Sequence, residues 1–155
     1  MDVGDLAPDF ELTADDGSSV RLSELVEQGP VVLFFYPRAM TPGCTQESCM
    51  FRDRGAQFAA FGAQRIGISL DPVERQRRFR DKHGFDFPLL SDPKGVVARR
   101  FGVKRSLLPV ARRVTFVIGT DRRILGTVAS ELDVARHGDE ALAVLARQGG
   151  SADRS

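Results

Sequence analysis

The sequence has no tryptophan, one tyrosine, two cysteines and two histidines among its 155 residues. A metal centre built from cysteine and histidine needs about four ligands, and so few candidates argue against one. Neither charge sign predominates, because 22 lysines and arginines face 21 acidic residues and leave a formal net charge of +1. Binding to nucleic acid or to a membrane surface usually needs an excess of positive charge, so we expect neither partner.

Long apolar runs are also absent. The longest one, Val31–Tyr36, is far too short to span a bilayer. The first residues, Met1–Asp5, are acidic and precede no apolar stretch typical of a signal peptide. We therefore expect a cytoplasmic protein, in which two cysteines are more often reactive than structural. The length predicts one domain over residues 1–148, and the composition of GGSADRS predicts a disordered tail over residues 149–155.

Strand and helix patterns alternate along the chain. A hairpin is predicted over Asp9–Arg21, and strands are predicted at Val31–Tyr36, Arg65–Leu70, Phe87–Leu90, Val114–Ile118 and Ile124–Val128. Helices are predicted at Thr41–Phe61, Asp71–His83, Lys94–Phe101 and Leu132–Arg147. This order predicts a thioredoxin-like α/β fold in which helices flank a central mixed β-sheet.

Both cysteines lie in one short stretch, YPRAMTPGCTQESC, at residues 36–49. Thr41 is a candidate helix cap and Pro42 suits the first helical turn, so Cys44 falls where backbone N–H groups are unpaired. These groups and the helix dipole favour an anion, and a nearby guanidinium would favour the thiolate further. The alternative for any single cysteine is a buried and inert side chain.

Cys49 follows Cys44 on the same predicted helix. Helix geometry places their Cα atoms about 8.6 Å apart, whereas a disulfide needs roughly 4.4–6.8 Å. The two thiols therefore cannot bond while the helix is intact, and their spacing keeps them apart until the first turns unwind. A protein that only exchanges disulfides would be better served by C-x-x-C, whose bond fits without remodelling.

The residues around Cys44 resemble the active-site signature of peroxiredoxins. The pattern Pro37-x-x-x-Thr41-x-x-Cys44 carries the resemblance, and the run TPGCTQESCMFRD is similar to the Q-type subfamily, the bacterioferritin comigratory proteins. Further matching pieces occur in the family's order: VGDLAPDFEL, GISLD, FPLLSDPKGVVARRFGV, RVTFVI and HGDEALAVL. One departure is Ile118–Arg122, which reads IGTDR where members usually read I-D-x-D-G, at a turn remote from the cysteines.

The resemblance implies a thiol peroxidase that reduces hydrogen peroxide and organic hydroperoxides without metal, haem or flavin. Cys44 matches the peroxidatic cysteine, which becomes a sulfenic acid, and Cys49 matches the resolving cysteine. The intramolecular disulfide would then be reduced by thioredoxin or a similar dithiol protein. We expect a monomer, with a dimer as the alternative.

The resemblance also implies roles for four further residues. Thr41 matches the hydroxyl that contacts the peroxide, and Pro37 matches the residue that shields the pocket. Arg113 matches the active-site arginine, and Glu47 matches a glutamate that holds it. Strand alternation sends Arg112 and Arg113 to opposite faces, and the family match selects Arg113. Other readings stay open, since Thr41 can cap the helix and Glu47 suits any first helical turn.

Two other functions remain compatible with these residues. A thiol–disulfide oxidoreductase would use the same cysteines, although their spacing disfavours it. A peroxide-responsive redox sensor would form the disulfide without rapid turnover. The basic helix Glu74–Lys82 is interpreted as a solvated face, and His83 and His137 lie near helix ends without a role as bases.

Overall fold

The computed structural model describes the backbone of residues 1–153 and the side chains of residues 1–148. Within the described backbone the strands are β1 (Glu11–Ala14), β2 (Ser19–Arg21), β3 (Val31–Phe35), β4 (Gln64–Ser69), β5 (Leu89–Ser91), β6 (Val114–Ile118) and β7 (Ile124–Ala129). The helices are α1 (Leu22–Leu25), α2 (Pro42–Asp53), α3 (Gly55–Ala59), α4 (Val73–His83), α5 (Val96–Arg100) and α6 (Val134–Asp153).

The seven strands form one mixed sheet in the order β2-β1-β5-β4-β3-β6-β7. Strands β3, β4 and β5 run parallel, while β6 and β7 continue the sheet antiparallel on one side and β1 and β2 on the other. The parallel strands are linked through helices, as right-handed crossovers require. The predicted thioredoxin-like α/β fold is confirmed.

Strand β3 is the centre of the core, because every one of its residues is buried. Its side chains alternate between two apolar clusters, one on each face of the sheet. Leu33 and Phe35 enter the first cluster, and Val32 and Phe34 enter the second together with Cys44. The continuous apolar run in the sequence therefore reflects a strand covered on both sides.

The predicted helix over Thr41–Phe61 is two helices in the structure. Arg54 separates α2 from α3 with φ −95° and ψ 14°, outside helical geometry. The Arg65 side chain from β4 donates to the Phe51 carbonyl at 2.8 Å, and it lies within 3.0–3.2 Å of the space that a Cβ on Gly55 would occupy. An arginine distant in sequence thus satisfies the last turn of α2, and no local signal indicates it.

Other element bounds differ by a few residues. Strand β5 starts two residues later than the predicted Phe87, α1 was not predicted, and α6 extends beyond the predicted Arg147. The predicted end of α4 is confirmed, because Gly84 adopts a left-handed φ of 62°. The side chains of the predicted tail, 149–155, all lie outside the described ones, and residues 154–155 also lie outside the described backbone, so the predicted disorder stays a prediction. Among the described helices, none is long and apolar enough to cross a bilayer.

Candidate active site

Cys44 lies in the first turn of α2, as the sequence predicts. Thr41 occupies the cap position with an extended φ of −83° and ψ of 155°, and Pro42 is the first helical residue. The thiol of Cys44 is free and fully buried. Backbone N–H groups at a helix start have no intrahelical acceptor, so they can stabilise negative charge that develops at this sulfur.

The guanidinium of Arg113, just before β6, reaches Cys44 from the sheet. Its Nη2 lies 3.5 Å from the Cys44 Sγ, its Nη1 donates to Glu47 Oε1 at 2.7 Å, and its Nε donates to the Glu131 carbonyl at 3.0 Å. These acceptors fix the planar guanidinium in one orientation. Arg112 points elsewhere, because its Nη2 donates to the Gly102 carbonyl at 2.8 Å.

Gly43 makes room for this guanidinium. A Cβ at this position would lie 3.0 Å from Arg113 Nη2. Any larger residue would therefore press on the group that contacts Cys44. The sequence analysis did not single out Gly43, although its place beside Cys44 in the family-like run was the available signal.

Glu47, one turn after Cys44, has no exposed surface. Burial raises its pKa from 4.5 to about 7, and the charge and hydrogen bond of Arg113 only partly oppose this rise. Its Oε1 pairs with Arg113, whereas its Oε2 has no hydrogen-bond partner among the described residues. The Nδ1 atom of His137 in α6 lies 3.8 Å from that oxygen. The sequence analysis missed this histidine as a neighbour of the site.

Thr41 and Pro37 belong to the loop that leads from β3 into α2. The Thr41 hydroxyl donates to the Arg38 carbonyl at 2.8 Å and makes no helix-capping hydrogen bond. Asp71 anchors the loop, because its Oδ2 accepts a hydrogen bond from the Ala39 N–H at 2.7 Å. Pro37 lines a cavity of about 330 Å³ beside the start of α4, and Cys44 does not contribute to that lining.

Cys49 also carries a free thiol and is half-buried against the apolar cluster that contains Cys44. Helix α2 is continuous from Pro42 to Asp53, so both cysteines lie on regular helix. Their Cα atoms are therefore about 8.6 Å apart, too far for a disulfide. The described residues include no group of three or more histidine, cysteine and acidic side chains placed to hold a metal ion.

Comparisons with known proteins identify the family to which this chain belongs. The AhpC/TSA family model matches residues 3–126. A peroxiredoxin-family protein of Mycobacterium tuberculosis is 54% identical over 149 residues, which cover 94% of this chain and 96% of the relative. Peroxiredoxin Bcp of Bacillus subtilis is 38% identical over 131 residues, covering 81% and 83% of the two chains.

Solved structures show the same similarity. The crystal structure of peroxidoxin BcpB from Mycobacterium tuberculosis aligns with a TM-score of 0.91 and 53% identity, covering 95% of this chain and 97% of that one. A bacterioferritin comigratory protein of Xanthomonas campestris, described for its alkyl peroxide reduction activity, aligns with a TM-score of 0.82 and 28% identity over 96% and 97% of the chains. The chain therefore belongs to the AhpC/TSA family and is a peroxiredoxin, a peroxidase that acts on peroxides with a thiol reductant.

Proposed function

We propose that Cys44 is the peroxidatic cysteine of this chain and that hydrogen peroxide and organic hydroperoxides are its substrates. The observation that supports this role most directly is the approach of Arg113 Nη2 to within 3.5 Å of Cys44 Sγ in the first turn of α2. A positive charge and a helix start together stabilise the thiolate, which is the nucleophilic form. Organic hydroperoxides are included because the Xanthomonas campestris relative is described for its alkyl peroxide reduction activity.

In the first step the Cys44 thiolate attacks the terminal peroxide oxygen. The sulfur–oxygen bond forms, the oxygen–oxygen bond breaks, and the leaving oxygen departs with the electron pair and gains a proton. Arg113 and the N–H groups at the start of α2 stabilise the charge that moves onto the oxygens. The Thr41 hydroxyl already donates to the Arg38 carbonyl, so its lone pairs are left to accept a hydrogen bond from the peroxide O–H. Pro37 shields the peroxide pocket, as the family resemblance implies.

In the second step Cys49 condenses with the Cys44 sulfenic acid and releases water. Because regular helix holds the two Cα atoms about 8.6 Å apart, α2 must open locally before the disulfide forms. Thioredoxin or a similar dithiol protein then reduces the disulfide by thiol exchange. Such reductants operate in the cytoplasm, where we place the protein, and we propose that it acts as a monomer.

A coupled assay tests this function. Purified protein is mixed with thioredoxin, thioredoxin reductase and NADPH, and NADPH consumption is followed after addition of hydrogen peroxide or an alkyl hydroperoxide. We expect continuous turnover by the wild type and none by Cys44→Ser, with omission of thioredoxin as the control. Turnover by Cys44→Ser would refute the role of Cys44. A single stoichiometric oxidation without turnover would favour the redox sensor.

A further inference from the structure

The buried side of Arg113 contains a carboxyl oxygen without a partner. Glu47 is fully buried, and only its Oε1 takes part in the ion pair with Arg113. Its Oε2 makes no hydrogen bond among the described residues, and His137 Nδ1 lies 3.8 Å away. A buried carboxylate oxygen normally accepts hydrogen bonds, because a charged group loses its hydration on burial and needs donors in its place.

The partners of His137 show which proton its ring carries. Its Nε2 lies 2.8 Å from the Ser130 carbonyl, which can only accept, so Nε2 bears the hydrogen. Burial lowers the pKa of His137, which keeps the ring neutral and leaves Nδ1 as an acceptor. The Thr115 hydroxyl, 2.8 Å away, donates to that Nδ1. His137 therefore offers Glu47 Oε2 no hydrogen, and an ionised Glu47 would leave this buried oxygen without any donor.

The charges around Arg113 also favour a protonated Glu47. When Cys44 is a thiolate and Glu47 is a carboxylate, two negative charges share one guanidinium, and this buried group carries a net charge of −1. One proton on Glu47 makes the group neutral. Burial already raises the pKa of Glu47 to about 7, and a thiolate beside the same guanidinium would raise it further, because like charges disfavour ionisation.

The other charged groups that face this cluster pair with partners of their own. Glu131, on the loop before α6, pairs with Arg105 at 2.9 Å and is half-exposed, so it adds only a weak repulsion to Glu47. On α6, Arg136 and Glu140 lie near His137 and form an exposed ion pair with each other at 3.1 Å. None of these groups supplies the missing hydrogen at Glu47 Oε2.

We propose that Glu47 carries a proton while Cys44 is a thiolate and releases it when peroxide consumes the thiolate. This step rests on the proposed role of Cys44. Cys44 thiolate, hydroperoxide and protonated Glu47 become Cys44 sulfenic acid, alcohol and ionised Glu47. The sulfur is oxidised by two electrons and the oxygen–oxygen bond is reduced. The alkoxide takes its proton from pocket water, and Glu47 returns one to solvent.

The release follows from electrostatics. Once the sulfenic acid has formed, no anion at Cys44 competes for Arg113, so the guanidinium can stabilise an ionised Glu47 through the ion pair that already joins them at 2.7 Å. Glu47 touches neither peroxide nor sulfur, and it acts through Arg113 as a positioning residue. The buried group is neutral before and after the step, because the negative charge moves from Cys44 to Glu47 beside the same guanidinium, and net proton exchange with the medium is zero.

Infrared difference spectroscopy of the Cys49→Ser variant tests the inference, because this variant stops at the sulfenic acid. In the reduced protein at neutral pH we expect the carbonyl stretching band of a protonated carboxyl group. One equivalent of hydrogen peroxide should weaken it by about half, because the pKa of Glu47 without the neighbouring thiolate is about 7. Adding Glu47→Gln should remove the band from the start, whereas Glu140→Gln should leave it.

Two outcomes would overturn the inference. One is a reduced protein without the band, and the other is a band of unchanged intensity after Cys44 has become a sulfenic acid. Trapping the sulfenic acid with dimedone, followed by mass spectrometry, distinguishes a failure of the proton release from a failure of the proposed function. A trapped sulfenic acid with an unchanged band refutes only the proton release, whereas no sulfenic acid at Cys44 refutes the proposed function as well. If Glu47→Gln does not fold, Arg113→Ala identifies the carboxyl group, because without the guanidinium Glu47 stays protonated and the band persists after oxidation.

Discussion

The Nη2 atom of Arg113 lies 3.5 Å from the Sγ atom of Cys44, although 69 positions of sequence separate the two residues. The contact joins the start of α2 to the residue before β6, and Glu47 and Glu131 hold the guanidinium from its other edges. It is the feature on which the chemistry of this site depends, since it brings a fixed positive charge to a buried thiol.

Arg113→Ala should slow the reaction of Cys44 with peroxide by roughly 10- to 100-fold, because a hydrogen bond to a charged group is worth about 1.5–3 kcal/mol. The rate of thiol loss after mixing with hydrogen peroxide measures the effect. Arg112→Ala is the matched control, since Arg112 donates to the Gly102 carbonyl and not to the site. Equal slowing by both variants would show that Arg113 has no specific role.

Oxidised wild type should contain an intramolecular disulfide and less helix. Bond formation must open α2 around Cys44 and Cys49, so far-ultraviolet circular dichroism should weaken and amide exchange should accelerate over residues 41–51. The far end of α2 should stay folded, because Arg54 pairs with Asp139 of α6. Mass spectrometry under non-reducing conditions checks the bond.

Cys49→Ser is the control for this change. It should react once with peroxide, keep its helix content and become overoxidised with excess peroxide, because no resolving thiol is near. Turnover of this variant at the wild-type rate, or a disulfide-linked dimer of the wild type, would assign resolution to an external thiol.

Arg122→Gly should be more stable than Arg122→Ala by about 1 kcal/mol. Arg122 adopts φ +66°, in the left-handed region, where glycine is favoured. Both variants lose the hydrogen bond from Arg122 Nε to the Ala7 carbonyl, so the comparison isolates the backbone. Urea unfolding measures the difference, and an alanine variant of equal stability would contradict the expected strain.

The free energy of unfolding should depend on pH through Glu47. Because the folded pKa of about 7 exceeds the usual 4.5, the folded state binds more protons between these values. The contribution is fully present below pH 4.5 and is lost as the pH rises through about 7, and it amounts to about 3 kcal/mol at 1.36 kcal/mol per unit of pKa. Urea unfolding across this range should show the loss in wild type and in Glu140→Gln but not in Glu47→Gln.

His137 acts in the opposite direction. Burial lowers the pKa of this histidine below 6.5, so its contribution is present above that pH and is lost on acidification. The difference between wild type and Glu47→Gln cancels this effect, because both proteins retain His137. A difference that does not vary with pH would show that Glu47 ionises normally in the folded protein.

The sequence by itself determined much of the local structure. The apolar run Val31–Tyr36 predicted a strand covered on both faces, and Pro42 together with Gly84 indicated where helices begin and end. These signals are short-range, because periodicity and the φ preferences of proline and glycine act within a few residues. The place of Cys44 in a first helical turn was predictable for the same reason.

Tertiary structure decided what lies opposite Cys44. Strand alternation predicted that Arg112 and Arg113 face apart, but only packing shows that Arg113 meets Cys44 and Glu47. His137 comes from a helix 90 positions beyond Glu47 in sequence, and its approach to Oε2 depends on how α6 packs on α2. Contacts across such separations depend on the whole core, because no local preference of either residue encodes the distance between them.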